Sequence, residues 1–433
     1  MNSALLKATS SKKTQGIGLF SATALGVGGM IGAGLFSLLG TASAHAGSHI
    51  PLAFLLGAIA ASFSIYSYAK LGATYPSSGC GATFTVMSFG PGVISGGINT
   101  FQYIDYLIAA ALYAAGFAEY ANTLIGESLA PLEAKMVGAG IVILYAGINL
   151  LGIGIVGKAE TLAIDFVTIA LLLFSVEGIR VADIGVFRVT EWSINGIAIA
   201  TGILYINYQG FGVVKNPSNA MQEPQKELPL AMFSALILVT IAYMLFSTAS
   251  ILLLTPAQMA PYNGHVLAQV AQIVARKAGF VIIWTSALLV CAAALNATIF
   301  AASNIAADMA NKRSVSKALS ESVLKKTKLR ALFISAIFVI ALVLAFPLDV
   351  VGKMASLAFL VVYAAITYGH IRVRKQTGAK LWPLWAAITI NLSLFATLFV
   401  NVMETTPSSG VALVVGLIGS FAIEAISRRY LNK

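Results

Sequence analysis

Charge is scarce in this chain. Only 10% of its 433 residues are Asp, Glu, Lys or Arg, against roughly 25% in average soluble proteins. With 58% hydrophobic residues and a mean hydropathy of +0.87, that shortage excludes a soluble enzyme and a disordered chain. Cysteine is scarcer still. Cys80 and Cys291 lie in separate apolar stretches, so neither a disulfide framework nor a metal site is expected. The sequence also lacks a metal-ligand cluster, a phosphate-binding loop and a nucleophile–base pairing. The chain is therefore not read as an enzyme, no cofactor is expected, and ATP drive is excluded.

What the chain has in abundance is long apolar runs. A helix needs about 20 residues to cross roughly 30 Å of hydrocarbon. Twelve such runs occur, near 17–44, 51–73, 91–120, 136–155, 159–178, 194–220, 230–254, 279–306, 331–347, 350–371, 383–402 and 408–427. They are continuous rather than alternating, which excludes a β-barrel. The expected fold is an all-α membrane protein, a single polytopic domain over 1–433 with twelve transmembrane helices. Ala-Ser-Ala-His-Ala at 42–46 mimics a signal-peptidase site, but the run before it exceeds a 7–15-residue h-region and is rich in glycine. It is read as a retained first span.

The formal charge of +11 is largely a topological label. With twelve spans, nineteen of the 27 cationic residues fall on the side of the termini and six on the other. Lys158 and Lys215 sit within or beside spans. This bias places both termini in the cytoplasm, with anionic lipid headgroups beside the basic loops. The run from Lys312 to Arg330 reads as a cytoplasmic loop, not a nucleic-acid site.

Two spans are interrupted. The first contains Gly26, Gly28, Gly29, Gly32 and Gly34, five glycines in nine residues, each costing about 0.8–1.0 kcal/mol in a helix relative to Ala. At 28 residues it would also reach ~42 Å if continuous. The sixth span repeats the pattern in Leu204-Tyr205-Ile206-Asn207-Tyr208-Gln209-Gly210-Phe211-Gly212. Backbone that leaves the helix at membrane depth must be buried in protein or line a cavity. Matching interruptions in two halves point to a transporter with inverted repeats. The alternative is that the glycines serve close helix packing. Half-helix N-termini offer free amides to a carboxylate, and C-terminal ends offer carbonyls to an ammonium. Together they suit a zwitterion, a free α-amino acid.

These residues resemble the amino acid–polyamine–organocation (APC) superfamily of transporters. The matching stretches are Gly29-Met30-Ile31-Gly32-Ala33-Gly34-Leu35-Phe36, Tyr75-Pro76-Ser77-Ser78-Gly79, Gly210-Phe211 with Glu223-Pro224-Gln225-Lys226-Glu227-Leu228-Pro229, and Asn296-Ala297-Thr298. The resemblance implies a five-plus-five inverted repeat, about 16–180 and 193–372, with spans 11 and 12 (about 383–428) outside it. It places a substrate carboxylate on the amides of Gly32, Ala33 and Gly34, and the ammonium on the carbonyls of Met30, Ile206 and Gln209. Asn207, Tyr208 and Gly210 complete the expected site. The chain departs from the family at Ala33, where a Ser is frequent, and at Gly212, where a Glu is frequent. Cys291-Ala292-Ala293-Ala294 lacks the hydroxyls of sodium-coupled relatives, which argues against sodium there.

Ionisable groups inside spans are functional candidates. Asp105 stands alone in the third span, where desolvation penalises the charged carboxylate. It is a candidate for proton loading, for pairing with a cationic substrate, or for a structural role. Asp165 is a second proton candidate and Lys158 a third, although Lys158 with Glu160 also fits the cytoplasmic interface. Glu424 is expected to be peripheral, and His45 and His49 to lie in an outer loop. Tyr103, Tyr106, Tyr205 and Tyr208 are candidate gates or pocket walls. The expected function is secondary active amino-acid transport across the plasma membrane by proton-coupled symport. Exchange of amino acids or polyamines is the rival, and a channel or nutrient-sensing receptor on the same fold is the different class.

Overall fold

A computed structural model describes residues 18–75, 80–124, 129–151, 156–182, 189–215, 221, 223–311 and 324–431. The motif residues 76–79, most of the basic run after Lys312 and the side chains of Lys158 and Glu160 lie outside the described residues. The α-helices, in chain order, are α1 (Leu19–Met30), α2 (Ala33–Ala46), α3 (Ile50–Thr74), α4 (Cys80–Phe89), α5 (Val93–Leu124), α6 (Pro131–Leu151), α7 (Val156–Val181) and α8 (Ile194–Leu204). They continue with α9 (Pro224–Leu253), α10 (Pro256–Met259), α11 (Val266–Asn311), α12 (Leu324–Ala345), α13 (Leu348–Thr377), α14 (Leu381–Thr405) and α15 (Pro407–Leu431). Among the described residues, ten segments are long and apolar enough to cross a membrane. Leu19–Met30 and Arg330–Ala345 are shorter apolar helices.

Local signals set the ends. Proline stands in the first turn of α3 and of α9, where its missing N–H costs nothing. Helix α13 stops at Gly378, which takes the left-handed conformation (φ 64°). There Ala379 N–H donates to the Arg374 carbonyl at 3.1 Å, a Schellman-type closure. Arg374 and Lys375 in that last turn oppose the negative end of the helix dipole. Helix α11 bends at Ala275 and Arg276, where the backbone leaves helical values.

Burial sorts the helices into an inner and an outer set. The most apolar window of α13 is 89% buried, and that of α6 only 11%. Large apolar side chains such as Ile143, Phe333, Ile337, Val415 and Ile418 are exposed on the outer helices. Such a surface suits a lipid solvent, in which backbone polar groups have to be satisfied within each helix.

Helix α15 closes on α5 across a glycine notch. A Cβ at Gly97 would collide with the Phe421 ring, and one at Gly96 with the Glu424 carboxylate. Glu424 is thus not peripheral, as the sequence suggests. It is fully buried between the two helices, because Gly96 leaves it room, and it accepts a 2.7 Å bond from Arg428 Nε. Overpacking costs typically about 1–3 kcal/mol. Gly97→Leu is expected to push α15 off α5 and lower the melting temperature of the detergent-solubilised protein by several degrees. A melt indistinguishable from wild type would show that the notch carries no packing.

Candidate functional site

The chain leaves the helix at Ile31 and Gly32, between α1 and α2. Helix α1 ends at Met30, and Ile31 (φ −73°, ψ 76°) makes an inverse γ-turn. In it Gly32 N–H donates to the Met30 carbonyl at 2.7 Å. Extended Gly32 then serves as N-cap of α2, whose N-terminus has no side-chain cap. The amides of the first turn are left to be satisfied from outside the helix.

The sixth span changes at Leu204, where α8 gives way to a 3₁₀ segment, Tyr205–Lys215. Ser356 of α13 sits on the transition. Its Oγ donates to the Ile203 carbonyl at 2.8 Å and accepts from Ile206 N–H at 3.3 Å. Asn207 turns its own amide back to the Leu204 carbonyl at 3.0 Å. The two interruptions then meet directly. A Cβ on Gly29 would stand 2.7 Å from the Gly210 carbonyl oxygen, and one on Gly210 would overlap Gly29 backbone. Neither position tolerates a side chain, because the obstruction is main chain.

Phenols take the released carbonyls. Tyr243 Oη of α9 donates to Met30 O at 2.6 Å and also lies 3.3 Å from Asn207 O. Tyr363 Oη of α13 donates to Gln209 O at 3.0 Å. Gln209 Nε2 donates to Tyr113 Oη of α5 at 3.4 Å.

Beside this junction is a cavity of about 140 Å³. Its wall takes Gly28, Gly29, Ile31 and Gly32 from the first interruption and Gln209 and Gly210 from the second. Gly212 and Val213 follow in the second, and Tyr106 and Tyr113 of α5, Ile164 of α7, and one face of α11 from Val290 to Ala301 complete it. Of the expected site residues, Gly32, Gln209 and Gly210 are on the wall. Met30, Ile206, Asn207 and Tyr208 are buried behind it. Tyr208 turns away to the Phe54 carbonyl at 2.8 Å. Gly34 is pressed against Asn207 Oδ1, and the side chain of Ala33 lies outside the described residues. Of the four tyrosines singled out from sequence, Tyr106 lines the cavity, whereas Tyr103 bonds to Ser335 and Tyr205 to Ser64.

Asp105 is fully buried, and neither carboxylate oxygen has a hydrogen-bond partner among the described residues. It is not on the cavity wall but lies within electrostatic range of the Tyr113 and Tyr363 hydroxyls. Asp165 lies elsewhere, in an open groove of about 620 Å³ between α1, α7 and α9, with Thr23, Thr168 and Ser234. Gly28 and Ile164 line both spaces. A Cβ on Gly28 would be 3.2 Å from Ile164 Cγ2, so this contact partitions cavity from groove. Lys158 belongs to α7, with its side chain outside the described residues.

Sequence reasoning missed Tyr113, Tyr243, Tyr363, Ser356 and Ile164. Each stands singly in an apolar helix with no spacing signal. Only the need to satisfy an interrupted backbone pointed toward hydroxyl donors such as the three tyrosines and Ser356, and nothing pointed to Ile164.

Residues 17–422 match the family model described as amino acid permease. The Escherichia coli inner membrane transport protein YbaT is 28% identical over 412 residues, 95% of each chain. The Bacillus subtilis branched-chain amino acid permease BcaP is 26% identical over 262 residues, 56% of each chain. The Arabidopsis thaliana vacuolar cationic amino acid transporter 4 is 26% identical over 366 residues, 79% of this chain and 60% of that one.

Removing the Tyr243 hydroxyl leaves buried carbonyls short of a donor, at about 1–3 kcal/mol. Tyr243→Phe is expected to lower the melting temperature while leaving a folded protein. Gly210→Ala, obstructed by main chain, is expected to cost more and to abolish ligand-induced stabilisation. Equal melts for the two variants would contradict the backbone contact.

Proposed function

Because the chain belongs to the amino acid permease family of the APC superfamily, we propose that this multi-pass membrane protein is a secondary active transporter carrying free amino acids across the plasma membrane by proton-coupled symport. The proposed topology has twelve spans with both termini cytoplasmic. Repeats at about 16–180 and 193–372 alternate access to the central cavity, and α14 and α15 stand outside them. The observation that carries this reading is the shared wall. Gly32, N-cap of an uncapped helix, and Gln209–Gly210 of the second interruption line one cavity.

In the proposed complex the substrate carboxylate meets the amides of Gly32, Ala33 and Gly34, where the helix dipole favours an anion. The ammonium approaches the carbonyls of Met30, Ile206 and Gln209. Two of these already accept phenolic bonds. A carbonyl has two lone pairs, so at Gln209 the ammonium shares the oxygen with Tyr363, and at Met30 it takes the place of the Gly32 N–H, which turns to the carboxylate. Asp105 is the proposed proton carrier. It is buried, has no hydrogen-bond partner among the described residues and adjoins Tyr106 of the wall. Asp165 faces the groove beyond Ile164 and takes the role of second proton site, with Lys158 as the third candidate.

Purified protein is melted against the twenty amino acids and common polyamines, since a ligand that binds only the folded state raises the melting temperature. Stabilisation by amino acids supports the reading, and stabilisation only by ligands without an amine overturns it. In proteoliposomes, Asp105→Asn is expected to abolish accumulation driven by a pH gradient while sparing exchange of internal for external substrate. Undiminished pH-driven accumulation would make Asp105 structural. Accumulation that needs internal substrate and ignores the pH gradient would make the protein an exchanger.

A further inference from the structure

We infer that the transported amino acids carry neutral, mainly apolar side chains, and that the face of α11 bearing Ala293, Ala297 and Ala301 limits their size. This deepens the amino-acid reading above and rests on it. The names of relatives point to both branched-chain and cationic substrates, so the cavity itself must decide.

Its wall contains no charged side chain among the described residues. Asp105 is fully buried off the wall, and Asp165 lies in the groove on the far side of Ile164. A lysine or arginine substrate would lose its hydration without meeting a carboxylate, and burying an unpaired charge is strongly unfavourable. An acidic substrate fares no better. Lys353 is buried near the start of α13, off this wall and 3.9 Å from Asp349. The neutral polar groups are partly committed as well. Gln209 spends its amide on the Tyr113 hydroxyl.

The α11 wall is built to leave space. Val290, Ala294, Ala297 and Ala301 follow one another at helical spacing on one face. Thr298 adds a hydroxyl there and is 7% exposed. Ala297 is an exposed residue on the cavity wall, so a larger side chain there would project into the ligand space. With Gly32 and the α2 amides assigned to the substrate carboxylate, the α11 face, Ile164, Val213 and the rings of Tyr106 and Tyr113 are the surfaces left for the side chain. Contact with methyl groups favours aliphatic side chains through their buried area.

The test is uptake of each of the twenty radiolabelled amino acids by the full-length protein in proteoliposomes, with and without Ala297→Phe. Wild type is expected to take up leucine, isoleucine, valine and methionine at least ten times faster than lysine, arginine, aspartate or glutamate. Ala297→Phe is expected to lower the leucine-to-alanine uptake ratio at least tenfold, with retained alanine uptake as proof of folding. Ala301→Leu, one helical turn further, serves as the second variant if Ala297→Phe does not fold. Lysine or arginine uptake at the leucine rate would overturn the neutral-substrate inference and leave the transporter reading standing. An unchanged leucine-to-alanine ratio in the folded variants would overturn the role of α11. Uptake of none of the twenty would overturn the amino-acid reading itself.

Discussion

A backbone that leaves the helix inside a lipid solvent must find new partners for every N–H and C=O it releases. At these two interruptions the partners are neutral and intramolecular. The inverse γ-turn at Ile31 satisfies one amide locally. Tyr243 and Tyr363 donate to the freed carbonyls, and Ser356 bridges the end of α8 to the 3₁₀ segment. What lets the two segments share these donors is the contact of Gly29 with Gly210, main chain on main chain. With a Cβ at either position the segments separate, and Tyr243 no longer reaches both Met30 O and Asn207 O.

The scaffold around this junction is aromatic and hydroxylic rather than ionic. Phe211 of the 3₁₀ segment packs edge-on against Tyr68 and at a tilt against Tyr363, both at 5.3 Å between ring centroids. Tyr205, its first residue, bonds to Ser64 of α3, which accepts from Asn391 of α14 at 3.0 Å. A helix outside the proposed repeats thus reaches the start of the second interruption through two hydroxyls. Such networks fix position through geometry, since each hydroxyl has one proton to give. They do so without placing charge beside the cavity.

Much of this was legible in the sequence, and the boundary has a physical cause. Apolar length marks twelve runs, and ten described segments are long and apolar enough to cross a membrane. The departures from α-helix at Ile31–Gly32 and after Leu204 fall where the glycines of 26–34 and the amides of Asn207 and Gln209 contradict a lipid helix locally. Gly32, Gln209 and Gly210, which the interrupted pattern contains and the resemblance assigns to the substrate, stand on the cavity wall. Tyr208 and Glu424 were misjudged, because their roles depend on what lies opposite. A carbonyl of Phe54 claims the first, and the notch at Gly96 admits the second. Tyr243 and Tyr363 were invisible for the same reason. A tyrosine in an apolar helix looks alike whether it fills a core or donates to an interrupted backbone hundreds of residues or a few helices away.

The position of Asp105 draws these threads together. Neighbouring residues on a helix point about 100° apart, so with Tyr106 on the wall its neighbour Asp105 is turned aside into protein. Direct pairing with a substrate cation is therefore disfavoured by geometry, which is why proton loading is the role proposed for this carboxylate. The hydroxyls within its electrostatic range are those of Tyr113 and Tyr363, and these two hold the side chain and the carbonyl of Gln209. In the proposed cycle, charging or neutralising Asp105 would bias those phenolic bonds, and through Gln209 the geometry of the second interruption. In the proposed cycle, proton and substrate then act on one element from opposite sides, the proton behind the wall and the amino acid in front of it.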